Sequence, residues 1–229
     1  MSSLLRGPAL TLKDSWISFL VKLPSLFFGL FLFALGVVMN LYSDLGMSPW
    51  GVLQVGVTYH VPMTLGQVSQ LVGLAVLLLG WLLGFSPGFA TVMNMYFIGL
   101  FIDLIMLWDI VPRFENLLGQ SILLLGSIIV LGVGSFFYMN PKMGAGPRDG
   151  LMMGFVQKLN QPVSKVRAAI EVTVLVLGYL LGGPVGVGTI VTALAVGYSV
   201  QFFFSLGNYD RMAKHMDLFE LTRRLSKGD

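Results

Sequence analysis

Between Glu115 and Lys142 the chain carries no charged side chain, and most of that stretch is Leu, Ile, Val, Phe and Gly. Such a run has no place on the surface of a water-soluble domain. It also exceeds the ~20 residues that a helix needs to cross the hydrocarbon core of a bilayer. Further apolar stretches lie on both sides of it. Only 11% of the 229 residues are charged and 55% are hydrophobic, too little charge to coat a soluble surface. The expected fold is therefore all-α and polytopic, with room for about six to eight spans.

The same composition excludes several chemistries. There is no cysteine, so disulfides, thiolate metal sites and a cysteine nucleophile are absent. His60 and His215 lie far apart, and no metal-binding spacing, phosphate loop or nucleophile–base pair stands out. No cofactor, no metal and no enzymatic activity are expected. The net charge of +3 sits mostly in the tails and one loop, which reads as membrane topology and not as nucleic-acid binding. Asp14 and Lys22 interrupt what would be the apolar core of a signal peptide.

Residues 11–23 read as an interfacial helix capped at Thr11, with Asp14 at the capping-box position and Leu12, Trp16, Phe19 and Leu23 on one face. Pro24 is expected to start the first span, ending near Tyr42. A short segment follows at Pro49–His60, then apolar helices near 64–84, 88–108 and 117–139. A second short segment at Pro147–Leu159 precedes helices near 163–182 and 186–206. The tail from Asn208 places Tyr209, Met212, Met216 and Phe219 at helical spacing and reads as a surface helix. The units are thus 1–23, a membrane repeat over 24–108, a second over 109–206, and a cytoplasmic tail over 207–229.

The repeat is visible in the letters. "GMSPWGVLQVG" at Gly46–Gly56 returns as "GAGPRDGLMMG" at Gly144–Gly154, displaced by 98 residues. The offset holds without a gap from Gly36 to Met106 and brings sixteen identities, seven of them glycine pairs. Chance in this composition gives about six, with about one glycine pair. The series Gly80, Gly84, Gly88 recurs as Gly178, Gly182, Gly186, and is expected to pack or turn the chain.

The two short segments decide the topology. At about 12 residues each they reach only ~18 Å, against a core of ~30 Å. If they re-enter, each repeat has three spans and the halves are inverted in the membrane. If they cross, there are eight spans in parallel repeats. With the N-terminus inside, the inverted arrangement places 13 of the 14 basic residues in the cytoplasm and the parallel one 12. The first short segment's surroundings carry no Lys or Arg, whereas the second has Lys142, Arg148, Lys158, Lys165 and Arg167. The inverted arrangement is the expectation, with both termini cytoplasmic.

Pro suits the first turn of a helix, where an N–H would go unpaired, and Ser48 is a natural N-cap; Gly146 holds that place in the second copy. Helix starts inside a membrane expose free N–H groups and the positive end of the dipole. Transporters use such discontinuous helices around a central site for a polar or anionic solute. The candidate binding residues are Ser48, Pro49, Trp50 and Gln54 in the first copy. In the second they are Gly146, Pro147, Arg148, Asp149 and Glu171, a carboxylate nine residues into its span. Arg167 one turn earlier, or Arg148, is a candidate partner for that carboxylate. Asn94, Thr91, Thr189 and Thr192 are weaker candidates for a pathway wall.

"LGMSPWGVLQVG", "GQVSQLVGLAVLLLGWLLG", "FIGLFIDL", "MGAGPRDGLMMG" and "GVGTIVTALAVG" together resemble the YczE/YitT-type bacterial integral membrane proteins, over roughly residues 25–206. The resemblance implies a multi-pass protein of the bacterial cytoplasmic membrane and no particular substrate. The family pattern has Asp where this chain has Gly51. The expected partners are the lipid bilayer and a small solute, with self-association allowed and no nucleic acid. The expected function is a small inner-membrane carrier or channel. A membrane docking factor is the alternative, and a lipid-acting enzyme the remoter one.

Overall fold

A computed structural model describes residues 12–209 and 215–227. All regular structure among them is helical: α1 Leu12–Tyr42, α2 Pro49–Thr58, α3 Leu65–Leu82, α4 Phe89–Trp108, α5 Leu117–Met139, α6 Pro147–Leu159, α7 Val163–Leu180, α8 Val187–Leu206 and α9 Leu218–Lys227. Ser15–Tyr42 of α1 and the whole of α3, α4, α5 and α8 are long and apolar enough to cross a membrane. The 18-residue α7 matches α3 in length but carries Lys165, Arg167 and Glu171. The chain is a polytopic all-α membrane protein.

Local chemistry sets the boundaries. Pro49 and Pro147 occupy the first turns of α2 and α6. Thr64 and Gln67 form a reciprocal capping box on α3, and Asn116 caps α5 through the Gly119 N–H at 2.6 Å. At Gly46 and Gly144 the backbone has φ of 101° and 133°, a region L side chains rarely adopt, and this bends the chain into each short helix.

Two expectations need correction. The N-terminal helix does not stop at Pro24: α1 runs through it as one 31-residue helix. Its early turns pack Phe19 and Leu23 on the same core as the later ones, Phe19 meeting Phe89 edge to face, so no separate surface helix forms; Trp16 Nε1 also donates to the Leu225 carbonyl at 3.2 Å. The cap expected at Thr11 lies outside the described residues. The tail helix begins at Leu218, not near Asn208; Tyr209 and Met216 precede it, and Met212 lies outside the described residues. Residues 216–218 run as a strap, with Met216 N–H on the Lys142 carbonyl at 3.0 Å and Leu218 N–H on that of Pro87 at 3.1 Å.

The spine is α1, whose Leu26, Leu30, Ala34 and Val38 recur every four residues and are fully buried. They pack with Ile98, Ile102 and Ile105 of α4, and Phe27 and Phe31 meet Phe97 and Phe101 edge to face. On its other side α1 lies along α5. Ser25 bonds the Phe137 carbonyl, Gly29 meets Gly134, Gly36 meets Leu131 and Met39 meets Gly126. Numbers rise on one helix as they fall on the other, so the two are antiparallel.

Contacts between the halves come in exchanged pairs. Gly178 packs on the Leu53 backbone, and Gly80 on that of Leu151. Gly46 meets Gly186 and Thr189; Gly144 meets Gly88 and Thr91. The Gly188 N–H donates to the Leu45 carbonyl at 2.7 Å, and the Ala90 N–H to that of Met143 at 2.9 Å. Each contact is the other with both partners moved by the 98-residue offset. Whole elements follow: α2 packs on α7 as α6 does on α3, and α1 on α4 as α5 does on α8. Reciprocal contact of this kind is what a two-fold relation produces.

The outer faces stay apolar. Leu78, Leu82, Leu107, Ile122, Leu180 and Leu206 are all exposed. In water such a surface would aggregate; in a bilayer it meets lipid.

Candidate solute site between two helix starts

The helix starts converge. Ser48, Pro49 and Trp50 of one copy and Gly146, Pro147, Arg148 and Asp149 of the other line a single cavity of about 390 Å³. The Arg148 guanidinium lies over the Trp50 ring, 4.6 Å from its centroid. These two residues are counterparts under the repeat offset, so equivalent positions of the two halves stack on each other.

The two starts are held differently. At α2, the Ser48 hydroxyl accepts from the Gly51 N–H at 3.3 Å, and the Ser48 N–H donates to Asn40 Oδ1 at 3.0 Å. Asn40 is buried in α1, and its Nδ2 donates to the Thr192 hydroxyl at 3.2 Å, so α1, α2 and α8 are tied at one point. At α6, Gly146 offers no side-chain cap. The counterpart of Asn40 is Tyr138, buried on α5 beside Gly146; its hydroxyl sits 3.2 Å from where a Gly146 Cβ would stand.

Charge enters from the second half alone. On α7, Arg167 Nε and Glu171 Oε1 pair at 2.9 Å, one turn apart, with Glu171 the more covered. Of the two partners expected for Glu171, the structure pairs it with Arg167. The first half carries Ser69 and Gly73 in those places. Ser69 is buried and accepts from Gln54 Nε2 at 3.2 Å.

Of the thirteen residues expected at the site, ten line the cavity, Asn94, Thr192 and Glu171 among them; Gln54, Thr91 and Thr189 do not. Gln54 stands behind Ser69. Thr91 and Thr189 fasten helix starts: their hydroxyls accept from the Gly88 and Gly186 N–H at 3.0 and 3.1 Å, and Thr91 also donates to the Ala145 carbonyl at 2.6 Å. Sequence reasoning missed Asn40, Ser69, Ser135 and Tyr138 as wall residues. Asn40 left one signal: it is a lone amide in an otherwise apolar run.

Apolar spans around a partly open cavity with a few polar side chains in its wall define a polytopic integral membrane protein. The chain belongs to a family of unknown function, DUF6198, whose profile matches residues 20–205. It is similar to an uncharacterized protein of Haemophilus influenzae, 34% identical over 191 residues, which is 83% of this chain and 87% of the relative. It is similar, too, to the uncharacterized membrane protein YczE of Bacillus subtilis, 34% identical over 77% of this chain and 82% of the relative. YyaS of the same organism, also uncharacterized, is 25% identical over 78% and 90%. No solved structure matches.

Proposed function

We propose that the protein is a small carrier or channel of the bacterial cytoplasmic membrane, and that the cavity binds a small polar or anionic solute. The observation that carries this reading is the stacked pair Trp50 and Arg148: it puts the first turns of two half-length helices on one cavity. The cavity volume falls in the range of small-molecule sites, about 300–1,000 Å³. The ring covers one side of the guanidinium, and the N–H donors left over are of the kind that carboxylate and phosphate oxygens take. The start of α6 adds further N–H donors, with the Asp149 carboxylate in its first turn balancing part of the dipole and of the Arg148 charge.

The proposed topology is an inverted repeat. Antiparallel packing of α1 on its counterpart α5 supports it, as do the exchanged contacts. With both termini inside, α2 re-enters from the outer surface and α6 from the inner one. The tail strap and α9 then lie on the cytoplasmic side with the early turns of α1.

Flux into proteoliposomes tests the function. Wild type, loaded against a panel of small carboxylates, phosphates and neutral polyols, is expected to pass at least one of them faster than protein-free vesicles. Wild-type flux no greater than the vesicle background for every solute would overturn the reading. Glu171→Gln is expected to lower that flux by releasing Arg167 from its pair in the cavity wall; flux equal to wild type would remove Glu171 from the mechanism.

A further inference from the structure

The two flanks of the cavity are not alike. Where α3 and α4 meet, the backbones of Gly66 and Gly99 are so close that a methyl on either would overlap the other helix. Asp103 accepts from the Thr64 hydroxyl at 2.6 Å and from the Gly66 N–H at 2.9 Å. Gln70 Nε2 donates to the Tyr96 carbonyl at 2.9 Å. This flank is shut and latched.

The counterparts of Gly66, Gly99 and Asp103 are Ser164, Gly197 and Gln201. There α7 and α8 do not pack as α3 and α4 do. A methyl on Gly197 would meet nothing within 4 Å. Gly197 and Gln201 on α8, with Arg167 and Glu171 on α7, form cavity wall instead. Glycine weakens a helix interior, and nothing in this arrangement calls for one at 197. A close approach of α7 would call for it, as the approach of α3 does at Gly99.

We infer that these flanks are two gates on one cavity, and that they exchange roles. Closing α7 onto α8 at Ser164 and Gly197 accompanies the parting of α3 from α4. Asp103 latches the arrangement described here; Gln201, a neutral amide, is the counterpart latch for the other. In the proposed orientation the shut flank faces outside and the open one the cytoplasm. The inference rests on the cavity being a solute site, and it assigns that site its access control.

Spin-label distances test it without any solute, and the absence of native cysteine makes labelling clean. Gln67→Cys with Leu107→Cys reports on α3–α4. Their exposed counterparts, Lys165→Cys with Ser205→Cys, report on α7–α8. In lipid nanodiscs we expect two populations for each pair, with Asp103→Ala shifting the first pair to its longer distance and the second to its shorter one. Gly197→Leu is expected to fold normally, because a Cβ there meets nothing within 4 Å and the position lines the cavity, and to abolish the short 165–205 population. One fixed distance for each pair in wild type and in Asp103→Ala would overturn the inference, as would wild-type exchange in Gly197→Leu. Exchange without flux of any solute would keep the gates and remove the carrier; flux with fixed distances would keep a channel and remove the gates.

Discussion

Arg148 and Trp50 share one place in two copies of a motif, and each has become what the other is not. In the proposed site the ring offsets part of the hydration that the part-buried Arg148 loses, and the remaining N–H donors are left for a ligand. Arg148→Gln is therefore expected to weaken solute binding by about tenfold or more, following the ~1.5–3 kcal/mol of a charge-assisted hydrogen bond. Apparent affinity measured from flux against concentration would show it, with thermal stability little changed. Affinity equal to wild type would take Arg148 out of the site. Both residues were legible in sequence through the repeat; their contact was not, since an offset says which positions are equivalent and not which ones touch. Asn40 was illegible for a related reason. Its partners Ser48 and Thr192 come from two other helices, and no local pattern announces such a meeting.

At the scale of elements, glycines set how near the helices stand. Gly178 receives the Leu53 backbone and Gly80 that of Leu151, so an added methyl has backbone in its way and cannot be accommodated by a side-chain turn. Gly178→Ala is expected to cost about 1–3 kcal/mol by overpacking, read as a lowered melting temperature in detergent. Gly197→Ala meets nothing and is expected to leave the melting temperature unchanged or slightly raised. Equal losses in the two variants would contradict the packing account.

The tail strap carries its own pH dependence. His215 bonds the Tyr209 hydroxyl at 2.9 Å. Burial first, then the Lys142 ammonium, holds the imidazole below its ordinary value of 6.5, with the Gly144 backbone opposing in part. The docked strap thus favours the neutral ring. Its docking is at full strength above the ordinary value and weakens as the pH falls below it, levelling off only past the depressed docked value. Amide hydrogen exchange protection over 215–221, relative to the intrinsic rate, should fall from pH 7.5 to 5.5, and the fall should vanish in His215→Asn. Helix limits in the spans could be read from Pro, Gly and capping residues. The two misplaced ends are those that tertiary contacts set: Phe19 and Leu23 carry α1 through Pro24 on one core face, and the strap's bonds to the Lys142 and Pro87 carbonyls precede the tail helix.

For the whole molecule, the repeat made the duplication legible and the length of α2 and α6 raised the question of inversion. Composition alone fixed the membrane class. What the letters left nearly balanced was orientation, because basic residues favour one topology over the other by a single position. Antiparallel α1 and α5, and contacts that exchange between halves, are the geometry on which the proposed inversion rests. The most direct check uses Tyr59 and Gln157, exposed counterparts at the far ends of the two short helices. Each is replaced singly by Cys in this cysteine-free chain and probed in intact cells with a membrane-impermeant thiol reagent. Opposed short helices predict that Tyr59→Cys is labelled from outside and Gln157→Cys only after the membrane is opened; labelling of both from the same side would contradict the account.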